Sequence, residues 1–141
     1  MANIIPFSFR GELFSGTHNF ANGGNSFKIA LYTGNPYGTG STAYLTGQEV
    51  SANNTGYTTA GKVLAGQAVV STGAVATVDF TDSTLTNATF TAAFAAIYND
   101  TNADKLCVVL DFGGNKTATN GTFSISFPNP STPANAIISM A

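Results

Sequence analysis

The chain has 141 residues, 43% of them hydrophobic and only 9% charged, with a formal net charge of −2. The length suits one domain, the apolar share excludes disorder by composition, and the charge falls far below the roughly 25% of an average domain. Thr, Ser, Asn and Gly supply the polarity instead, and a partner can cover such a surface without stripping water from many ions, so it suits permanent assembly. A secreted or merely charge-poor domain would share this composition.

The N-terminus, Met1 to Phe7, has neither the basic stretch nor the long apolar core of a signal peptide. No run of about 20 apolar residues occurs, so no membrane-spanning helix is expected. Ile4, Ile5, Phe7 and Phe9 precede the first strand with no evident partner in the chain. Residues 1–8 are therefore expected to form an arm that docks on a neighbouring subunit. Residues 8–14 read as a short helix, with Phe9, Leu13 and Phe14 close to one face and Gly16 as its stop.

Phe27, Ile29 and Leu31 alternate with Lys28, Ala30 and Tyr32, the period of a half-buried strand. Residues 33–46 form a long loop rich in Gly, Pro and Thr, a length associated with function or interface. Residues 63–70 and 75–80 predict a hairpin around Ser71-Thr72-Gly73. Residues 89–98 fit a helix through Phe90, Phe94 and Ile97, or a strand through Phe90, Ala92 and Phe94; the β-rich neighbours favour the strand. Residues 106–112 form a strand apolar enough to be buried on both sides, turned by Gly113-Gly114-Asn115. Phe123, Ile125 and Phe127 mark another strand. Pro128, Pro130 and Pro133 break the chain, and residues 136–140 form a last edge strand. Six to eight short strands and one helix predict an all-β fold over residues 1–141, an antiparallel β-sandwich or jelly-roll-like domain.

Motifs for chemistry are lacking. The basic residues Arg10, Lys28, Lys62, Lys105 and Lys116 form no cluster, which argues against nucleic acid and against a polybasic membrane contact. One cysteine, Cys107, permits no internal disulfide and reads as a small buried hydrophobe. The one histidine, His18, sits in a polar turn, and nothing in the sequence pairs it with Cys107 as base and nucleophile. The carboxylates Glu12, Glu49, Asp79, Asp82, Asp100, Asp104 and Asp111 fit turns and strand edges better than a metal loop. Neither Gly23-Gly24 nor Gly113-Gly114 forms a phosphate cradle before a helix. No enzyme activity, cofactor or metal is expected.

The segments FRGELFSGTHNF, SFKIALYTG, AYLTGQEV, TGYTTAGKVL, VDFTDSTLTNATFTAAFAAIYND and VVLDFGGNKTATNGTFSISFP, with a terminal AIIS, follow one another along the chain. In that order they resemble a family of small proteins encoded among the head genes of tailed bacteriophages. The likeness runs from about Phe9 to Ser139. It rests mainly on Lys28-Ile29-Ala30-Leu31-Tyr32-Thr33, Ile97-Tyr98-Asn99 and Leu110-Asp111-Phe112-Gly113. The resemblance implies a virion structural protein made in the bacterial host cytoplasm. Its first expectation is a capsid decoration, or cement, protein on the outer head surface. Such a protein bridges major capsid protein subunits, often as a homo-oligomer, with a trimer favoured, and binds neither nucleic acid nor membrane. Contacts are then expected in the 33–46 loop, the 51–59 loop and the arm, at Ile4, Ile5, Phe7, Tyr37, Tyr44 and Tyr57. A tail, neck or head-fibre component is the second expectation. A carbohydrate-binding module displaying Tyr32, Tyr37, Tyr44 and Tyr57 is the third.

Overall fold

A computed structural model describes residues 3–132 and 136–140. Met1 and Pro133, which figure in the expectations above, lie outside the described residues. Among the described residues the chain is all-β apart from one short helix, α1 (Phe7–Phe14). Its strands are β1 (Phe27–Tyr32), β2 (Lys62–Val63), β3 (Ala68–Thr72), β4 (Val75–Asp79), β5 (Ser83–Asn99), β6 (Lys105–Ile125) and β7 (Ile138–Met140). They form two antiparallel sheets, ordered β2-β1-β5-β6 and β3-β4-β7. This is the sandwich-like class that the strand pattern predicts.

The alternation in β1 does what it should. Phe27, Ile29 and Leu31 join the main core with Ala95 and Ile97 of β5 and with Phe80 and Ile138 at the second sheet. Ala30 and Tyr32 face the other way, into a second cluster with Ala96, Tyr98, Leu106 and Val109. The centre of the large sheet is thus buried on both faces. Phe20 stacks on Phe27 at 4.3 Å, and Phe27 meets Phe80 edge-on at 5.9 Å. Each such pair adds about 0.5–1.5 kcal/mol beyond area burial.

Three expectations are corrected. First, Gly113-Gly114-Asn115 does not reverse the chain. Residues 112–115 stand opposite Ala93 alone, so they form a large bulge within one 21-residue strand. Gly113 and Gly114 adopt φ of +76° and +141°, values that favour glycine, and they bend β6 instead of ending it. Second, Val63 belongs to β2, against β1, and only residues 68–79 form the predicted hairpin. Third, the arm has partners in its own chain. Ile4 exchanges both backbone hydrogen bonds with Val109 of β6, at 2.9 and 2.8 Å. Ile4 packs on the second cluster, Ile5 packs on the main core, and Phe9 is fully buried.

Helix α1 ends in a Schellman motif. The Thr17 N–H reaches the Glu12 carbonyl at 2.9 Å, the Gly16 N–H reaches the Leu13 carbonyl at 3.2 Å, and Gly16 adopts φ +75°. That satisfies carbonyls that helix ends leave open. Phe9 and Leu13 turn inward as their spacing predicts, but Phe14 does not; it is 89% exposed. It lies about 100° around the helix from Leu13.

Candidate functional site

Two buried polar clusters and one open sheet edge are the features with functional content. The first cluster links all five tyrosines of the chain: Tyr32, Tyr37, Tyr44 and Tyr98 lie at the second face of the large sheet, and Tyr57 reaches the same network from the main core. The 33–46 loop folds back over that face. Its Leu45 N–H donates to the Tyr37 hydroxyl at 2.9 Å, while the Tyr32 hydroxyl donates to the Leu45 carbonyl at 2.7 Å. Tyr32 has then used its proton, so Tyr37 donates to Tyr32 at 2.6 Å and the ring of hydrogen bonds closes. Tyr44 stacks on Tyr98 at 4.9 Å and donates to Glu49 at 2.5 Å. Tyr57 donates to the other Glu49 oxygen at 2.6 Å, and the Ala60 N–H joins that oxygen at 2.8 Å. The Tyr57 oxygen also accepts the Leu31 N–H, at 3.1 Å, and Tyr98 donates to the Ala60 carbonyl. One carboxylate therefore joins two loop segments, one holding Tyr44 and one holding Tyr57 and Ala60.

Burial pushes all five phenols above their ordinary range, and the Glu49 carboxylate adds to this for Tyr44 and Tyr57. Tyr37 and Tyr57 are buried and Tyr44 is partly so, because their hydroxyls have partners inside the chain. All three act as internal struts; Tyr37 and Tyr57 present almost no surface for the contacts expected of them, while Tyr44 keeps part of its surface exposed. Tyr32 is buried too, so these four tyrosines present no aromatic platform for a sugar. Of the arm residues expected to make contacts, Ile4 and Ile5 are turned into the chain, and only Phe7 is strongly exposed.

The second cluster brings together residues that sequence spacing could not pair. His18 Nε2 lies 2.6 Å from a Glu12 oxygen, and Lys105 Nζ lies 3.2 Å from the other. His18 Nδ1 lies 3.7 Å from Cys107 Sγ. In outline this is a thiol, an imidazole and a carboxylate in order. Two facts separate it from a working nucleophile. Cys107 is fully buried, and burial, followed by the Glu12 charge, pushes its thiol well above the ordinary value. A protonated, enclosed thiol is inert. Asn99 is also closer to the ring, with its Nδ2 at 3.0 Å from Nδ1.

Asn99 explains the arrangement. Its Oδ1 accepts the Thr101 and Asn102 N–H groups at 3.1 and 3.2 Å. Its Nδ2 must therefore point at His18, Thr17 and Asn25. Nδ1 of His18 is then an acceptor, and Nε2–H donates to Glu12. The cluster ties α1, the 17–25 segment and the β5–β6 turn together.

Among the described residues no group of three or more His, Cys, Asp or Glu could hold a metal. Asp82 accepts the Phe127 N–H and Asp100 pairs with Lys28, which are turn and edge roles. No helix among the described residues is long and apolar enough to cross a membrane.

The open feature is the outer edge of β6. Near its start the chain covers that edge itself, through bridges from Ala43 to Lys105 and from Ile4 to Val109. From Lys116 to Ile125, β6 pairs with β5 on one side and with no described strand on the other. A shallow groove of about 400 Å³ runs there, lined by Phe112, Lys116, Phe123 and Ile125 among others. Lys116 is its one charged residue from 116 to 125. Alternation in Phe123 and Ile125 was the only sequence signal of this edge. Comparison with family models, with curated proteins and with solved structures finds no match for the chain.

Proposed function

We propose that this chain is a structural protein of a tailed-phage virion, and specifically a decoration protein bound to the major capsid protein on the outer head surface. The observation that carries this reading is the pairing of a rigid interior with an almost uncharged exterior. Loops that would otherwise move are fixed from within by Glu49 and the tyrosines. The exposed positions of the 33–46 and 51–59 loops are Thr, Gly, Ser, Asn, Ala and Leu, with no charge among them. Such a surface loses little to desolvation when covered, and a pre-ordered loop loses little entropy on binding. The half-open β6 edge adds unpaired backbone groups for an extended partner segment. The phage resemblance of the sequence supports the same reading, and neither polar cluster, as folded, gives a substrate access to a nucleophile.

The test is head stability. Heads lacking the protein are expected to release DNA at a lower temperature than complete heads, and added purified protein is expected to restore the difference. Equal release temperatures with and without the protein would overturn the cement role.

A further inference from the structure

Phe14 and the surface beside it form a knob and a hole on one molecule. The knob is the Phe14 ring, 89% exposed at the end of α1. The hole is an apolar crevice of about 260 Å³ between α1, Phe20 and the second sheet, lined by Leu13, Phe20, Val69, Val78, Ile138 and Met140 among others. Two of its lining side chains, Val69 and Met140, are themselves more than half exposed. His18, its one ionisable neighbour among the described residues, has no side-chain exposure and is turned to Glu12, so that lining presents no charge. An enclosed apolar cavity of about 150 Å³ holds a benzene ring, and this crevice, open on one side, is larger than that. Leu13 lines the hole and Phe14 follows it, yet Phe14 remains exposed, so the ring next to the crevice does not fill it.

We infer that the occupant is Phe14 of a second copy of this chain. The ring that fits is one the chain itself presents, and an exposed apolar knob matched to an apolar pocket elsewhere on the same molecule drives self-association. The outer face of α1 is built for close approach. Gly11 lies between Phe7 and Phe14 on that face, it is exposed, and a Cβ there would meet nothing within 4 Å. Among the described residues no contact requires a glycine there, although glycine weakens a helix. A neighbouring chain seated against α1 supplies the reason. This inference does not depend on the virion reading.

Sedimentation velocity over a concentration series tests it. The wild-type protein is expected to form a concentration-dependent oligomer of discrete mass. Phe14→Ser removes the knob and Val69→Glu spoils the hole. Each is expected to raise the dissociation constant by about tenfold to a hundredfold, the effect of one lost apolar side chain. Both positions are exposed, and unchanged circular dichroism melts would confirm that both variants fold. Mixing the two variants leaves one intact knob and one intact hole, so the mixture is expected to form a heterodimer at concentrations where each variant alone is monomeric. A wild-type protein monomeric across the series, undiminished association of Phe14→Ser, or a mixture that stays monomeric would each overturn the inference.

Discussion

Glu49 holds Tyr44, Tyr57 and the Ala60 N–H at once, and hydrogen bonds to a charged group contribute about 1.5–3 kcal/mol each. Glu49→Ala is therefore expected to destabilise the fold by about 3 kcal/mol, read as a lower urea midpoint at unchanged slope. A loss under about 0.5 kcal/mol, the range of an ordinary surface change, would contradict the strut role. The same cluster sets an alkaline limit. Unfolded tyrosine titrates near about 10, and burial, with Glu49 beside Tyr44 and Tyr57, raises the folded values. Below that pH both states keep the proton and stability is full. Above it the unfolded chain releases protons that the folded chain retains, so stability falls as pH rises. Tyrosinate absorbance is expected to stay absent near pH 10 and then to appear together with loss of circular dichroism. Smooth titration at the ordinary value with the fold intact would refute the buried network. Asn99 makes a third prediction at this scale: nitrogen NMR is expected to find neutral His18 protonated at Nε2 and bare at Nδ1. The opposite tautomer would mean that Asn99 is flipped.

At the scale of elements, the arm and α1 separate what patterning can show from what it cannot. Phe9 and Leu13 lie at a spacing of four and are inward, as an amphipathic helix requires. Ile4 also pairs inward, but through backbone bonds to Val109, more than 100 residues away, and no local pattern reports such a bridge. Removing residues 1–5 is thus expected to destabilise the isolated chain, seen as a lower thermal midpoint. An unchanged midpoint would restore the arm to the role of a free docking segment. Gly11→Ala is expected to raise helix stability by about 1 kcal/mol, because the space at its Cβ is empty. The strands themselves were largely legible. The alternation of β1 and the 68–79 hairpin follow from period and turn chemistry. The span of β6 does not, since Gly113 and Gly114 serve a bulge as readily as a turn, and only pairing with β5 decides between them.

For the whole molecule, the β-sandwich class could be read from strand count and turn spacing, while the inner roles of Tyr37, Tyr44 and Tyr57 could not. A tyrosine in a loop rich in Gly, Pro and Thr resembles a contact residue until the fold supplies a buried acceptor. Glu49 is that acceptor for Tyr44 and Tyr57, and the Tyr32 hydroxyl is for Tyr37; Tyr32 and Tyr37 pack in one cluster with residues as distant as Tyr98 and Leu106. The pairing of His18 with Cys107, 89 positions apart, was equally invisible, and its enclosure gives it a structural meaning. What survives outside is a charge-poor exterior, the open edge of β6 and an apolar helix tip, which suits a repeated shell component. The direct measurement is the copy number of this protein in purified virions, by quantitative gel densitometry against the major capsid protein. A ratio approaching one per capsid subunit is the predicted result. A dozen copies or fewer per particle would contradict head decoration and place the chain in the neck, tail or fibres.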